Sequence, residues 1–573
     1  MRFFSNNTQT LIASLISVIL FFITPNITQS QEVFAIYDPF DVPNNKYGIH
    51  IIQATPDESS PAASLVNSSG GDWGYITFLI ESKDRNESKW QEFFNDLRRR
   101  HLIPIVRLAT KPINEHWEIP YEGEEEAWAD FLDRLNWPVK NRYVIIYNEP
   151  NHAKEWGNYV DAKSYAKVLD NTITALKSKN RDFFVLNGGL DASAPSKPPQ
   201  FEDQLKFMQQ MDEAVPGIFN KLDGWVSHSY PNPGFVGSPD ANGRGTVRGY
   251  LWELQQLRSF GVAKNLPVFI TETGWKHAEG LKYDPGLPDA ETVASNYLNA
   301  FGSAWSSPQI AAVTPFLLSY LQNPFDHFSF KQVNNTDYYP MYRTIANLTK
   351  QAGKPIQDVL AQLISGEVYS SIVAGETYTI SLTFKNTGQS IWGDGSVVSL
   401  RPTAGGKELG INPIELLKDK KIEPGQEYEF RINLQAPQSG IYKVSLNLFD
   451  GDQQFESKPV EFATEVKSPV ILRIKTSLTW KENPQGNYYL AIKGPTGDSI
   501  RAVTIGSSGM SDKIEARNLL PDYTFDFGLE KPFYHSKSIS MQVYEGENML
   551  DFGILKPDIL AILFNLTTFW KQF

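Results

Sequence analysis

RYVIIYNEPNHAKEWGN, residues 142–158, is the stretch whose reading decides the fold. Residues 143–147 are apolar and β-branched, as in a strand buried on both faces. The run stops at Asn148-Glu149-Pro150. Proline cannot donate to a ladder and biases its predecessor toward extended geometry, which puts Glu149 at the strand's C-terminal tip. A carboxylate there costs free energy unless it has a task or a partner. LPVFITETGW, residues 266–275, repeats the arrangement with Glu272 followed by Thr-Gly-Trp. One such tip reads as a charged residue opening a loop. Two make a pattern.

Working outward, apolar runs at 47–52, 73–80, 102–108, 143–147, 183–187, 222–229, 266–271 and 310–318 read as strands. Amphipathic stretches at 89–101, 124–136, 162–179, 200–211, 250–260 and 290–305 fall between them. Strand and helix alternating over this length predict parallel strands with helices outside, an α/β fold closing as a (β/α)8 TIM barrel. The count puts Glu149 on the fourth strand and Glu272 on the seventh.

Two glutamates at the tips of buried strands suit glycosidic bond cleavage, which needs one protonated acid and one ionised nucleophile. Asn-Glu-Pro after one strand and Glu-Thr-Gly-Trp after a later one resemble the clan A glycoside hydrolases, the (β/α)8 retaining enzymes that include families 5 and 39. The resemblance covers about residues 45–350. It implies Glu149 as acid/base, Glu272 as nucleophile, and Asn148 reaching the sugar 2-hydroxyl. His228-Ser229-Tyr230 ending the sixth strand is similar to the clan's His-x-Tyr, which implies a hydrogen bond from Tyr230 to Glu272. Arg107 lies within the third strand, where a buried guanidinium calls for a carboxylate neighbour. The clan usually carries its arginine on the second strand instead. Glu81 and Asp191 also end strands.

Sugar rings present C–H faces that stack on aromatic side chains. Trp117, Trp156 and Trp275 fall in loops after the third, fourth and seventh strands and are expected to bind substrate. Trp90, Trp128, Trp252 and Trp305 sit in helical patterns and read as packing. The eighth strand often ends with a tryptophan in this clan; here the run is TPFLLSY, residues 314–320, with Phe316 or Tyr320 as substitutes.

The whole chain has 573 residues and a net charge of −12, from 53 basic and 65 acidic side chains. With no basic block, nucleic acid is not an expected partner. There are no cysteines, which excludes disulfides, zinc–thiolate sites and a cysteine nucleophile. The eight histidines show no His-x-His spacing, and neither metal nor cofactor is expected. Residues 1–30 read as a signal peptide or an N-terminal anchor, so a secreted or cell-surface protein is expected, and the absence of cysteine from an exported chain fits a bacterial one.

The barrel is assigned to 36–352. Beyond it, 377–385, 429–434 and 442–449 alternate polar and apolar residues between Gly, Pro and Asn turns, the pattern of a sandwich. FKNTGQSIW, residues 384–392, resembles the Asn-Thr-Gly…Trp signature of an Ig-like domain, placed at 356–466. A second β-sandwich, carboxypeptidase-regulatory-like, is placed at 468–556. The apolar tail, 557–573, is too short to span a bilayer, and either terminus is a candidate for membrane or surface association. The composite expectation is a hydrolase of β-linked poly- or oligosaccharide. The alternative is an inactive barrel serving as a cell-surface glycan-binding or adhesion protein.

Overall fold

The computed structural model describes residues 36–435 and 438–564. The expected targeting segment and the end of the apolar tail lie outside the described residues. Two compact bodies are present, one made of residues 36–358 with 388–391, the other of the remaining C-terminal residues.

The first body is an eight-stranded parallel barrel. Its strands are β1 (Gly48–His50), β2 (Gly74–Glu81), β3 (Leu102–Ala109), β4 (Arg142–Ile146), β5 (Phe183–Asn187), β6 (Trp225–Ser227), β7 (Val268–Ile270) and β8 (Ile310–Val313). β1 to β5 pair in sequence order, as do β6 to β8. Parallel bridges close both seams, Leu186 to Gly224 and Tyr47 to Val313. Side chains help where ladders are short: Val226 N–H donates to Asn187 Oδ1 at 2.9 Å. β6, β7 and β8 are shorter than their apolar runs. Pro267 lacks an N–H and precedes β7, and Pro315 follows β8, so the ladder cannot extend through either.

Alternation along the strands builds two cores. Tyr75, Ile103, Ile105, Tyr143, Ile145, Phe184, Leu186, Val226 and Phe269 fill the barrel interior. Ile76, Phe78, Ile80, Val144, Ile146, Val185 and Ile270 face the other way, into the layer shared with the helices. Those helices are α1 (Pro56–Val66), α2 (Glu87–Arg99), α3 (Glu124–Arg134), α4 (Ala162–Lys179), α5 (Gln204–Ala214), α6 (Gly249–Ser259), α7 (Ala290–Asn299) and α8 (Pro340–Asn347). α4 shows why they start and stop where they do: Asp161 caps the N–H groups of Lys163 and Ser164, and Lys177 and Lys179 sit in the last turn.

The barrel body runs past 352. Lys140 Nζ pairs with Asp358 at 2.7 Å and Asp182 at 3.2 Å. Gln389 Nε2 donates to Val139 O at 2.9 Å, which accounts for a short return of the chain to this body.

The second body holds two β-sandwiches. In the first, a three-stranded sheet around Thr377–Asn386 faces a larger sheet around Gly440–Asp450, enclosing Leu382, Phe384, Trp392, Phe430 and Leu446. The second encloses Leu472, Tyr488, Phe525, Phe527, Leu550 and Phe552 between sheets of three and four strands. A short helix, α9 (Ile559–Phe564), follows and exposes Leu560, Leu563 and Phe564. Among the described residues no helix is long and apolar enough to cross a membrane.

Candidate active site

The C-terminal ends of β3, β4, β6 and β7 converge on one cluster of charge. In β3, Ile103 and Ile105 point into the barrel, and a period of two puts Arg107 on the same face at its mouth. There its Nη1 donates to Glu272 Oε1 at 2.9 Å. The carboxylate that a buried arginine requires is therefore Glu272, just beyond β7. On the other side, Tyr230 OH donates to Glu272 Oε2 at 3.3 Å.

Glu149 is presented differently. Tyr147 and Glu149 have φ of 64° and 29°, left-handed values that cost a non-glycine residue about 1–3 kcal/mol. The turn is held because Glu149 N–H donates to Gly189 O at 3.0 Å and His152 N–H donates to Glu149 O at 2.8 Å. Glu149 Oε1 lies 2.8 Å from His228 Nδ1. Glycine is required at 189 because a Cβ there would stand 2.2 Å from the His228 ring. One oxygen of each glutamate and a His228 nitrogen all lie within 4.8 Å of one another.

Electrostatics separate the members. Burial pushes the Glu272 carboxyl up, but His228, Arg107, His50 and the Tyr230 hydroxyl together outweigh it and hold Glu272 below the usual carboxylate range. His228 is disfavoured as a cation by burial, yet Glu272 and Glu149 overcome this and raise its pKa. Burial, reinforced by Glu272, keeps Tyr230 far above its ordinary value, so it remains a donor.

Three groups in or beside this cluster escaped the sequence reading. His50, ending β1, lies 4.0 Å from Glu272, and burial lowers its pKa to about 4, leaving it neutral at pH 7. It was the one polar side chain in an otherwise apolar run. His152 Nε2 meets Asp191 Oδ2 at 2.7 Å. Glu155 accepts from Asn148 Nδ2 at 3.2 Å.

The tryptophans divide. Trp117, half-buried on a small hairpin after β3, lines a cavity with Arg107, Asn148 and Glu155. Trp156 and Trp275 do not join it, which corrects their reading as sugar platforms. Trp156 is 0% exposed, with its ring against Tyr147 and Tyr165. Trp275 is 1% exposed, against Tyr297 and Trp305. Neither ring has a face open to a sugar. Phe316, where the clan often has tryptophan, packs edge-on to His50 at 5.3 Å. Glu81 is turned to Lys83 at 2.8 Å.

Glu149, His228 and Glu272 are also, among the described residues, the group whose spacing would admit a metal ion. The Arg107 guanidinium beside Glu272 already supplies the compensating charge there and opposes a second cation. Glu149 and His152 have Glu-x-x-His spacing, but the histidine turns away to Asp191.

No family model matches this chain, and no curated protein matches it. Among solved structures it is similar to a family 39 glycoside hydrolase from the gut symbiont Bacteroides cellulosilyticus WH2, at 14% identity and TM-score 0.38, over 70% of this chain and 82% of that one. It is similar to a calcium-binding mutant of Bacteroides uniformis β-glucuronidase 2 at 10% identity and TM-score 0.36, over 82% of this chain and 63% of that one. It is also similar to GH5_18 from Streptomyces cattleya in complex with GlcNAc, at 13% identity and TM-score 0.37, over 58% of this chain and 84% of that one.

Proposed function

We propose that this chain is a retaining O-glycoside hydrolase acting on β-linked poly- or oligosaccharide. Glu272 is the nucleophile and Glu149 the acid/base. The observation that carries the reading is the spacing of the two carboxylates, one oxygen of each lying within 4.8 Å of the other. Retaining pairs stand about 5–5.5 Å apart, whereas inverting pairs need roughly 6.5–9.5 Å to seat a water.

The surroundings suit these roles. Glu272 is kept ionised by His228 and Arg107 against its burial, which is what attack on an anomeric carbon requires. Glu149 retains 19% of its side-chain surface, so a leaving group can reach it. With Oε1 beside His228, its other oxygen is free to face the glycosidic oxygen. As the bond breaks, Glu149 gives its proton to the departing alcohol; it then takes one from the water that hydrolyses the glycosyl–Glu272 ester. A barrel that only bound glycan would gain nothing from holding a buried carboxylate ionised against an arginine. From the composition of residues 1–30 we also infer export to the cell surface or beyond.

The test is a panel of aryl β-glycosides together with their 2-deoxy-2-fluoro analogues. The analogues should leave one glycosyl group on the peptide carrying Glu272, seen as a mass increase. The first sugar released from a true substrate should keep its β configuration. Release of the α anomer, or labelling at a different residue, overturns the assignment.

A further inference from the structure

The turn after Glu149 carries a third carboxyl that this reaction leaves unused. Glu155 closes the 3₁₀ turn Ala153–Glu155, a fold of chain just long enough to bring it back against Asn148. It shares a small cavity beside the catalytic pair with Arg107, Trp117, Tyr147 and Asn148. Its Oε2 accepts from Asn148 Nδ2, while Asn148 Oδ1 is buried with no hydrogen-bond partner. An ionised carboxylate only accepts, so it dictates which end of the amide faces it. The nitrogen is that end, and one of its two N–H bonds remains unspent.

Building on the glycosidase reading, we propose that Glu155 is a positioning residue. Its ionised carboxylate fixes the Asn148 amide so that the second N–H meets the hydroxyl at C2 of the sugar bound against Glu272. Protonation of Glu155 releases that hold. The new O–H is a donor, and the unpartnered Asn148 Oδ1 is the acceptor within reach if the amide turns over, which withdraws the N–H from the sugar.

The charged groups facing Glu155 are Arg107 from β3, Glu149 and His152 from the chain after β4, and Glu272 from beyond β7. Desolvation raises its pKa most. Arg107 lowers it, Glu149 raises it, the Asn148 hydrogen bond lowers it and Glu272 raises it, for a balance of about 7. The amide is therefore held above that pH and released as the pH falls through it.

The experiment compares kcat/KM for an aryl β-glycoside and its 2-deoxy counterpart across about pH 5.5–8, in the wild type, Glu155→Gln and Glu155→Ala. In the wild type, preference for the 2-hydroxy substrate should fall by about tenfold, the worth of one such hydrogen bond, toward low pH. Glu155→Gln offers an acceptor that does not titrate, so the preference should persist at every pH. In Glu155→Ala it should be lost throughout. Equal losses on both substrates, or a preference unmoved in Glu155→Ala, would mean a structural role and overturn the proposal.

A second readout needs no turnover. With asparagine labelled in ¹⁵N, the Asn148 side-chain amide signal, identified by its disappearance in Asn148→Ala, should shift with a midpoint near pH 7 in the wild type and stay fixed in Glu155→Gln. An amide that does not titrate refutes the positioning role whatever the activity. An amide that titrates in a protein cleaving no glycoside supports the positioning and refutes the glycosidase reading alone.

Discussion

Arg107 and Glu272 are 165 residues apart in the chain and 2.9 Å apart in the fold, with side chains 13% and 11% exposed. The arginine is tolerated inside a barrel strand because the carboxylate is there, and the carboxylate stays charged because His228 and then Arg107 offset its burial. Arg107→Met should leave Glu272 buried without its main hydrogen-bonded cation. Breaking one side of such a pair costs about 3–5 kcal/mol. The direction with pH follows from the sign of the shift. Glu272 is depressed in the fold, so its contribution to stability is present above the unfolded carboxylate pKa of about 4.3 and is lost as pH falls through the lower, folded value. With the guanidinium gone, burial is opposed by less charge and the folded pKa rises. Thermal unfolding should show the largest loss near neutral pH, and the acid limb of kcat/KM should move to higher pH. An acid limb that stays in place would show that Arg107 does not set the charge of Glu272.

Two tryptophans that look alike in the sequence should behave oppositely. Trp117→Ala removes a half-buried ring from the cavity beside Asn148 and Glu155. KM for an oligosaccharide should rise about tenfold, as expected for a lost stacking partner, with little change in melting temperature. Trp275→Ala empties a site between Tyr297 and Trp305 and should cost about 3–5 kcal/mol of stability. The reverse outcome would mean that Trp275 is a sugar platform after all.

That contrast marks how far the sequence could be read. The strand tips bearing Glu149 and Glu272 were legible because proline and glycine end apolar runs abruptly, and the alternation of strand and helix fixed their place in the barrel. Arg107 was legible as a charge inside a strand, and its partner could be guessed only as a carboxylate. Loop aromatics carry no such signal, since sequence shows that Trp156 follows β4 but not that the turn Ala153–Glu155 folds its ring inward. The same turn hid Glu155. His50 was visible as a lone polar residue near the end of an apolar run, but nothing local says that this end faces the site. α1 went unread because PDESSPAASLV has two prolines and few large apolar side chains to mark a helical face.

The barrel's C-terminal edge gives a third expectation. Lys140 is 7% exposed and reaches both Asp182 and Asp358, and its backbone N–H donates to Ile356 O at 2.8 Å. A fragment ending at Ala352 loses Asp358 and Ile356; one ending at Asp358 keeps them. Charged hydrogen bonds contribute about 1.5–3 kcal/mol, so the shorter fragment should melt several degrees lower. Equal melting temperatures would place the edge of the folded barrel before Gly353.

The two glutamates should separate by chemistry. Under the proposed mechanism Glu272→Gln removes the attacking oxygen, so turnover should fall by several orders of magnitude on every substrate, whatever its leaving group. Glu149→Ala removes only a proton donor and acceptor, a loss of about 10²–10⁴ where protonation matters. An aryl glycoside with an acidic phenol needs little help to leave, so its intermediate should still form on Glu272 and then persist, because no base activates water. Azide needs no base. It should enter the space left by the Glu149 carboxyl, restore turnover, and give a β-glycosyl azide from a β-linked substrate, since two inversions at the anomeric carbon return the original configuration. Product analysis by NMR reads this directly. An α-glycosyl azide would mean single displacement and an inverting enzyme. Rescue of Glu272→Gln in place of Glu149→Ala, with a β-glycosyl azide as the product, would exchange the two roles.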